Sequence, residues 1–176
     1  MHPYLTRFDR ELALIVSKLP DAVRPLMLTA SFIGQPIIVI ATAIAIGLGG
    51  VIRGSRPLVY ASVGTLVAFG GNTTIKHIVH RARPETLYVG GMRIHSYSFP
   101  SGHAFGSTVV FGLLAYLAYQ HLSHPWHVIT TAAIVILIVT IGISRVYLGA
   151  HFPSDVIAGW LLGSLSLFLI IKFLHP

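Results

Sequence analysis

Cysteine is absent from the 176 residues. That excludes disulfides, thiolate metal sites and cysteine nucleophiles, and it leaves the redox compartment open because nothing is present to oxidise. Charge is scarce: 10 % of residues are Asp, Glu, Lys or Arg, against about 25 % in a typical soluble domain. Acid is scarcest, with 5 Asp and Glu against 12 Lys and Arg, for a formal charge of +7. A cleavable-signal pattern is also missing, since the longest early apolar stretch, residues 12–16, is short and lies between charges. The first 24 residues are therefore expected to remain in place. With neither a polar linker nor an internal repeat, residues 1–176 are expected to form a single membrane-embedded domain.

What is present is apolar surface. Hydrophobic residues make up 54 % of the chain and the mean hydropathy is +0.78, which points to an integral membrane protein. Hydrocarbon about 30 Å thick needs roughly 17 to 25 helical residues. Five apolar segments meet or approach that length: residues 37–52, 57–75, 104–120, 128–144 and 156–171. The expected fold is all-α, with five transmembrane helices in residues 36–174 and interfacial helices in residues 1–34. In residues 8–20, Phe8, Leu12, Ile15, Val16 and Leu19 recur at helical spacing, with Asp9, Arg10, Glu11 and Lys18 elsewhere, the pattern of an amphipathic helix lying at the interface or of an ordinary capping helix. Gly34 followed by Pro36 marks a helix end and a helix start, so residues 21–33 read as a separate helix. One kinked span is the competing reading. The basic surplus suits lipid headgroups or a phosphorylated substrate better than nucleic acid, which is not expected as a partner.

The few charges gather in three strings: KHIVHRARP (residues 76–84), PSGH (100–103) and SRVYLGAHFPSD (144–155). Counting crossings puts all three at one membrane face. Lys76 and Arg83 are seven apart, two turns of helix, and can project to one point; Arg83 offers a planar fork for phosphate oxygens and Lys76 a compact charge. Either can also be a snorkelling flank, the role expected of Arg81. In PSGH, Ser101 is a good N-cap and Gly102 leaves backbone open, so the first helical turn can cradle an anion, a plain helix cap being the alternative. His103, one residue into that span, suits a general acid. In the third string a carboxylate four residues after a histidine can reach its ring: Asp155 can fix the tautomer of His151 so that the other nitrogen faces phosphorus, with Arg145 beside them. A capped helix with an incidental histidine is the plainer alternative. No metal is expected, because three cations beside two histidines and one carboxylate would repel a divalent ion; nor is any cofactor.

Taken together, Lys76, Arg83-Pro84, Pro100-Ser101-Gly102-His103, Ser144-Arg145, His151 and Asp155 resemble the three-part signature of the type-2 phosphatidic acid phosphatase superfamily. The resemblance runs from about residue 57 to the C-terminus and matches each signature position. It implies a helical membrane core and metal-independent hydrolysis of a phosphomonoester or diphosphate through a phosphohistidine. In those terms His151 is the nucleophile, Asp155 its orienting partner and His103 the acid for the leaving group, while Lys76, Arg83, Ser101, Gly102 and Arg145 bind the phosphoryl oxygens. Many bacterial members have six spans, and this chain is expected to lack the first.

A substrate needing a membrane enzyme is expected to be a lipid phosphate or polyprenyl diphosphate; phosphatidylglycerol phosphate, phosphatidic acid and undecaprenyl diphosphate all fit. Residues 85–99, with Tyr88, Tyr97 and Phe99, read as a lid or entry lip, or as a loop anchored by aromatics. Orientation is contested. Arg7, Arg10, Lys18, Arg24, Arg81 and Arg93 on the active face outnumber Arg53, Arg56 and Lys172 opposite, which by the positive-inside rule puts the site in the cytoplasm. The resemblance implies the extracytoplasmic face of a bacterial-type inner membrane, and that is the expectation adopted. Rival functions are a non-catalytic phospholipid carrier, a vanadate-dependent haloperoxidase and a transporter. The oligomeric state is not encoded in any pattern found.

Overall fold

The computed structural model describes residues 6–91 and 96–174. Arg93, counted above on the active face, lies outside them, as does part of the expected lid. The described residues form helices and loops in the order α1 (Arg7–Ser17), a 3-10 turn (Asp21–Val23), α2 (Arg24–Ile33), α3 (Pro36–Ile52), α4 (Arg56–Val79), α5 (Leu87–Gly91), α6 (Gly102–His121), α7 (Trp126–Tyr147) and α8 (Pro153–Leu174). Proline stands in the first turn of α2, α3, α4 and α8, where its missing N–H costs nothing and its fixed φ favours helix. Ser101 caps α6 and Thr6 caps α1 by accepting from Asp9 N–H, each satisfying a donor that the first turn would otherwise leave open.

Among the described residues four helices, α4, α6, α7 and α8, are long and apolar enough to cross a membrane, and α2 with α3 makes a fifth span if that pair, bent by 48°, is one broken crossing. The helices overrun the apolar runs because their polar ends turn inward: α4 carries Lys76 and α7 carries Arg145, both buried. Their outer faces are greasy, with Ile52, Phe173, Val67 and Ile136 among the exposed side chains, as lipid-facing surface requires. The core sits around α6, which packs against α3, α4, α7 and α8. Val110, Phe111 and Ile141 join Val39 and Ala43 on one side of it; Phe105, Val109 and Leu113 join Ala61 and Ile170 on the other.

Gly159 and Gly163, four apart on α8, let its backbone meet that of α6. A Cβ on Gly159 would fall 2.8 Å from Ser101 O and 2.9 Å from Ala104 Cβ. The small-residue pair therefore permits a close helix crossing of the kind bilayers favour. That crossing brings PSGH to the start of α8, where Ser101 N–H donates to Asp155 O at 2.9 Å.

One expectation for the amino end needs correcting, the placement of Asp9. The apolar set of α1 lies on one side of the helix, but that side is divided: Leu12 and Val16 lie beside Trp160 and Val156, while Phe8 and Ile15 are 50 % and 63 % exposed. Asp9, assigned to the polar side, heads the inward stripe and is fully buried. It goes in because it has charged and amide partners there, described below. The separate helix ending at Ile33 exists, and Ser31 of its last turn and Gln35 of the break line a cavity.

Candidate active site

A cavity of about 530 Å³ opens between the α2–α3 break, the end of α4 and the start of α6. Its polar lining includes Lys76, Arg83, His103, Arg145 and His151, and Phe69, Pro36 and Ile37 form apolar wall. The three strings thus converge, as expected, although not always by the expected route. Lys76 and Arg83 do not share a helix face. Helix α4 stops at Val79, His80 takes a left-handed conformation at φ 52°, and Arg83 reaches the cavity from the loop beyond.

Each cation is held by fixed acceptors. Lys76 Nζ donates to Tyr97 O at 3.1 Å and to Pro100 O, using two of its three protons. Arg83 Nε donates to Ser96 O at 2.8 Å, Nη1 to Ala150 O at 2.9 Å, and Nη2 to Ser96 Oγ at 3.0 Å and Tyr97 O at 3.5 Å. The remaining Nη1 proton points to His151 Nε2 at 3.1 Å. An anion gripped by Arg83 must therefore displace one of these, and of the partners His151 and Ser96 line the cavity. Burial and then the like charge of Arg145 push the Arg83 guanidinium down to about 10, so it keeps its proton at neutral pH. Arg145, 2 % exposed, donates from Nη1 to Ser31 Oγ on α2 and to Tyr88 Oη at 3.5 Å, and its Nε has no partner among the described residues. Tyr88, taken above as an interfacial aromatic, lies over Arg145 with Cζ 5.7 Å from the ring centre.

His151 sits in the short connection between α7 and α8. Its Nδ1 lies 3.5 Å from Asp155 Oδ2, and Asp155 is fixed in turn by Phe152 N–H at 2.9 Å and by the hydroxyl of Ser98. With Nδ1–H assigned toward the carboxylate, Nε2 presents its lone pair to the cavity. Burial above all, then the charges of Arg83 and Lys76, outweigh Asp155 and push the imidazole down to about 3. A neutral ring at pH 7 is the nucleophilic form. His103 lines the same cavity at the start of α6, beside Gly34 of the α2–α3 break.

Two expected binders behave differently. Gly102 lines the cavity, but Ser101 does not. It is fully buried, its Oγ accepting from Ala104 N–H at 3.4 Å. Ser144 likewise turns to its own helix, donating to Ile141 O at 2.6 Å.

Arg81 is the main correction. Expected to be a membrane flank, it is 8 % exposed and donates to Asp155 Oδ1 at 2.6 Å, Asp9 Oδ2 at 2.7 Å and Ser154 Oγ at 2.7 Å. Its guanidinium also covers the Phe152 ring at 4.4 Å. Two uncompensated carboxylates could not be buried here without a cation. Arg81, Ser98, Ser31 and Asp9 were all missed from sequence. The one available signal was an acid at the head of the stripe Asp9, Leu12, Val16, which a helix resting only on headgroups would not bury.

The PAP2 superfamily model matches residues 57–176. The chain belongs to the PAP2 superfamily. Among curated PAP2 relatives, phosphatidylglycerophosphatase B of Bacillus subtilis is 38 % identical over 106 residues, which cover 58 % of this chain and 50 % of that protein; the match thus spans about half the relative's length. A putative undecaprenyl-diphosphatase of Escherichia coli is 27 % identical over 92 % of this chain and 80 % of its own. The crystal structure of a transmembrane PAP2-type phosphatidylglycerolphosphate phosphatase from Bacillus subtilis superposes with a TM-score of 0.79 at 26 % identity, covering 94 % of this chain and 84 % of that one. The all-α membrane fold read from sequence is thereby established.

Proposed function

We propose that the chain hydrolyses a phosphomonoester or diphosphate carried by a lipid at the membrane interface, through a phosphohistidine on His151. The observation that carries this reading is the placement of His151: Nδ1 toward a buried carboxylate, Nε2 toward a cavity ringed by Lys76, Arg83 and Arg145.

The chemistry follows from these positions. A phosphoryl group entering the cavity takes the Arg83 Nη1 donor from His151 Nε2, which frees the lone pair as it meets phosphorus. Charge on the three equatorial oxygens of the transition state is matched by Lys76, Arg83, Arg145 and the first turn of α6 at Gly102, groups already held in place. Asp155 stabilises the positive charge that grows on the imidazole. His103 gives a proton to the leaving oxygen; water then attacks the phosphohistidine, the neutral His103 taking its proton, and phosphate leaves. Ser101 acts by shaping the α6 start. The cations carry the electrostatic load that a divalent ion carries elsewhere, and the one carboxylate among these groups is engaged by Arg81, Ser98 and Phe152 N–H, a donor set ill suited to holding a metal.

The names of the relatives support a lipid phosphate or polyprenyl diphosphate as substrate, and the apolar wall at Phe69, Pro36 and Ile37 suits the first carbons of a lipid. We assign the site to the extracytoplasmic face. A phosphate-release panel over phosphatidylglycerol phosphate, phosphatidic acid and undecaprenyl diphosphate, with and without EDTA, tests the reading. Release of phosphate that survives EDTA is expected. Phospholipid binding with no release would favour a carrier, halide oxidation with vanadate a haloperoxidase, and loss of activity in EDTA would refute the metal-free route.

A further inference from the structure

The functional reading above uses Asp155 but leaves unexplained why a second carboxylate, from a helix about 145 positions earlier in the chain, is buried beside it. Asp9 is fully buried on α1. Its Oδ2 accepts from Arg81 Nη2 at 2.7 Å and from Thr6 Oγ1 at 3.0 Å, and its Oδ1 accepts from Ser154 N–H at 2.8 Å. Burial alone would raise its pKa, but the bonds from Ser154, Arg81 and Thr6 outweigh that and hold the carboxyl below its usual value. It is therefore an anion.

Those bonds reach the reaction centre in two ways. Ser154 N–H belongs to the first turn of α8 and lacks a partner within that helix; an anion there caps the helix and complements its dipole. Asp155 is the next residue on that turn. Arg81 offers Nη2 to Asp9 and Nη1 to Asp155 at 2.6 Å, so the guanidinium spans the two carboxylates. Without Asp9, Arg81 would lose one of its two carboxylate partners and the α8 start its cap. Asp155, still held by Phe152 N–H and Ser98 but by a less firmly anchored Arg81, would then be less tightly fixed relative to the His151 ring, already at the long end of hydrogen-bond range at 3.5 Å. The outward side of α1 bears Phe8, Leu14 and Ile15, each at least half exposed, so the helix that delivers Asp9 keeps an apolar side uncovered.

We propose that Asp9 is a positioning residue for the reaction, holding Arg81 and the first turn of α8 and through them the Asp155 carboxylate that orients His151. This rests on the phosphohistidine reading of the site.

The test is steady-state phosphate release by full-length wild type, Asp9→Asn, Asp9→Glu, Ser98→Ala and the Asp9→Asn/Ser98→Ala double variant, each assayed below its unfolding midpoint. Asp9→Asn is expected to lower kcat about 10- to 100-fold, the scale of a sub-ångström to 1 Å misplacement, with KM within about twofold. Asp9→Glu keeps the charge and is expected to restore most of the loss. Ser98 holds Asp155 from another side, so the double variant is expected to lose less than the product of the single losses. A lower unfolding midpoint with unchanged kcat, or fully multiplicative losses, would overturn the proposal and leave Asp9 a structural anchor. If Asp9→Asn does not fold, Thr6→Ala removes one hydroxyl bond to Asp9 and serves instead: a several-fold lower kcat at constant KM supports the proposal, and unchanged kcat overturns it. Absence of phosphate release from wild type would refute the functional reading itself, a result separable from any effect of Asp9.

Discussion

Gly159→Ala probes how helix packing sets the site. The added Cβ would lie 2.8 Å from Ser101 O, 2.9 Å from Ala104 Cβ and 3.1 Å from Phe105 N, where ordinary contact begins near 3.4 Å. Two of the three obstacles are backbone atoms, so no rotamer change relieves them, and α8 must move from α6 by about 0.6 Å, the difference between those two distances. Overpacking of this kind costs about 1–3 kcal/mol. The displacement acts at the Ser101 N–H to Asp155 O bond, 2.9 Å long, which joins the Gly102–His103 turn to the Asp155 turn. A 1 Å error can cost about 100-fold in rate, so 0.6 Å predicts about a tenfold loss of kcat. Gly70→Ala, on α4 with nothing within 4 Å of its Cβ, is the control and should stay within about 1 kcal/mol of wild type. Phosphate release and thermal unfolding in detergent read both outcomes. Wild-type kcat and stability in Gly159→Ala would refute the claim that the α6–α8 approach positions the site.

Three further outcomes are expected. The acid limb of kcat/KM reports the free enzyme. Because the His151 imidazole is pushed down to about 3, its neutral nucleophilic form persists well below pH 6.5, and activity, after correction for the substrate's own ionisation near 6, should fall only under strongly acidic conditions; a limb at 6.5 assigned to His151 would contradict its burial. His103→Ala should slow hydrolysis of alkyl phosphates by about 10² to 10⁴ and that of an aryl phosphate with a good leaving group much less; equal losses on both would remove His103 as the general acid. In intact cells, Gly90→Cys should react with an impermeant thiol reagent if the site is extracytoplasmic, and protection would place it in the cytoplasm.

The contrast between what was legible in the sequence and what was not has a physical basis. Apolar runs mark helices wherever they occur, so α4, α6, α7 and α8 were visible, and the strings that break those runs carried His151, Asp155, His103, Arg145 and Lys76. Their cost in a bilayer makes such residues conspicuous. Arg83 was found by reasoning about a helix that in fact ends at Val79; tertiary contacts with Ala150 and Ser96 place it instead. Arg81 was misread because a flank and a buried ion-pair partner look alike until Asp9 and Asp155 are known to meet it. Asp9 and Ser98 contribute through contacts 72 and 57 positions away, which no local pattern encodes. The Gly34 break was visible, but its position against His103 and Ile141 was not.

The most direct measurement is a rapid alkaline quench during turnover of substrate labelled in the transferable phosphate, with mapping of the label. The account predicts label on His151, absent from His151→Ala, which should also have no turnover. A turning-over enzyme that carries no label on His151, or a His151→Ala variant with wild-type kcat, would contradict it.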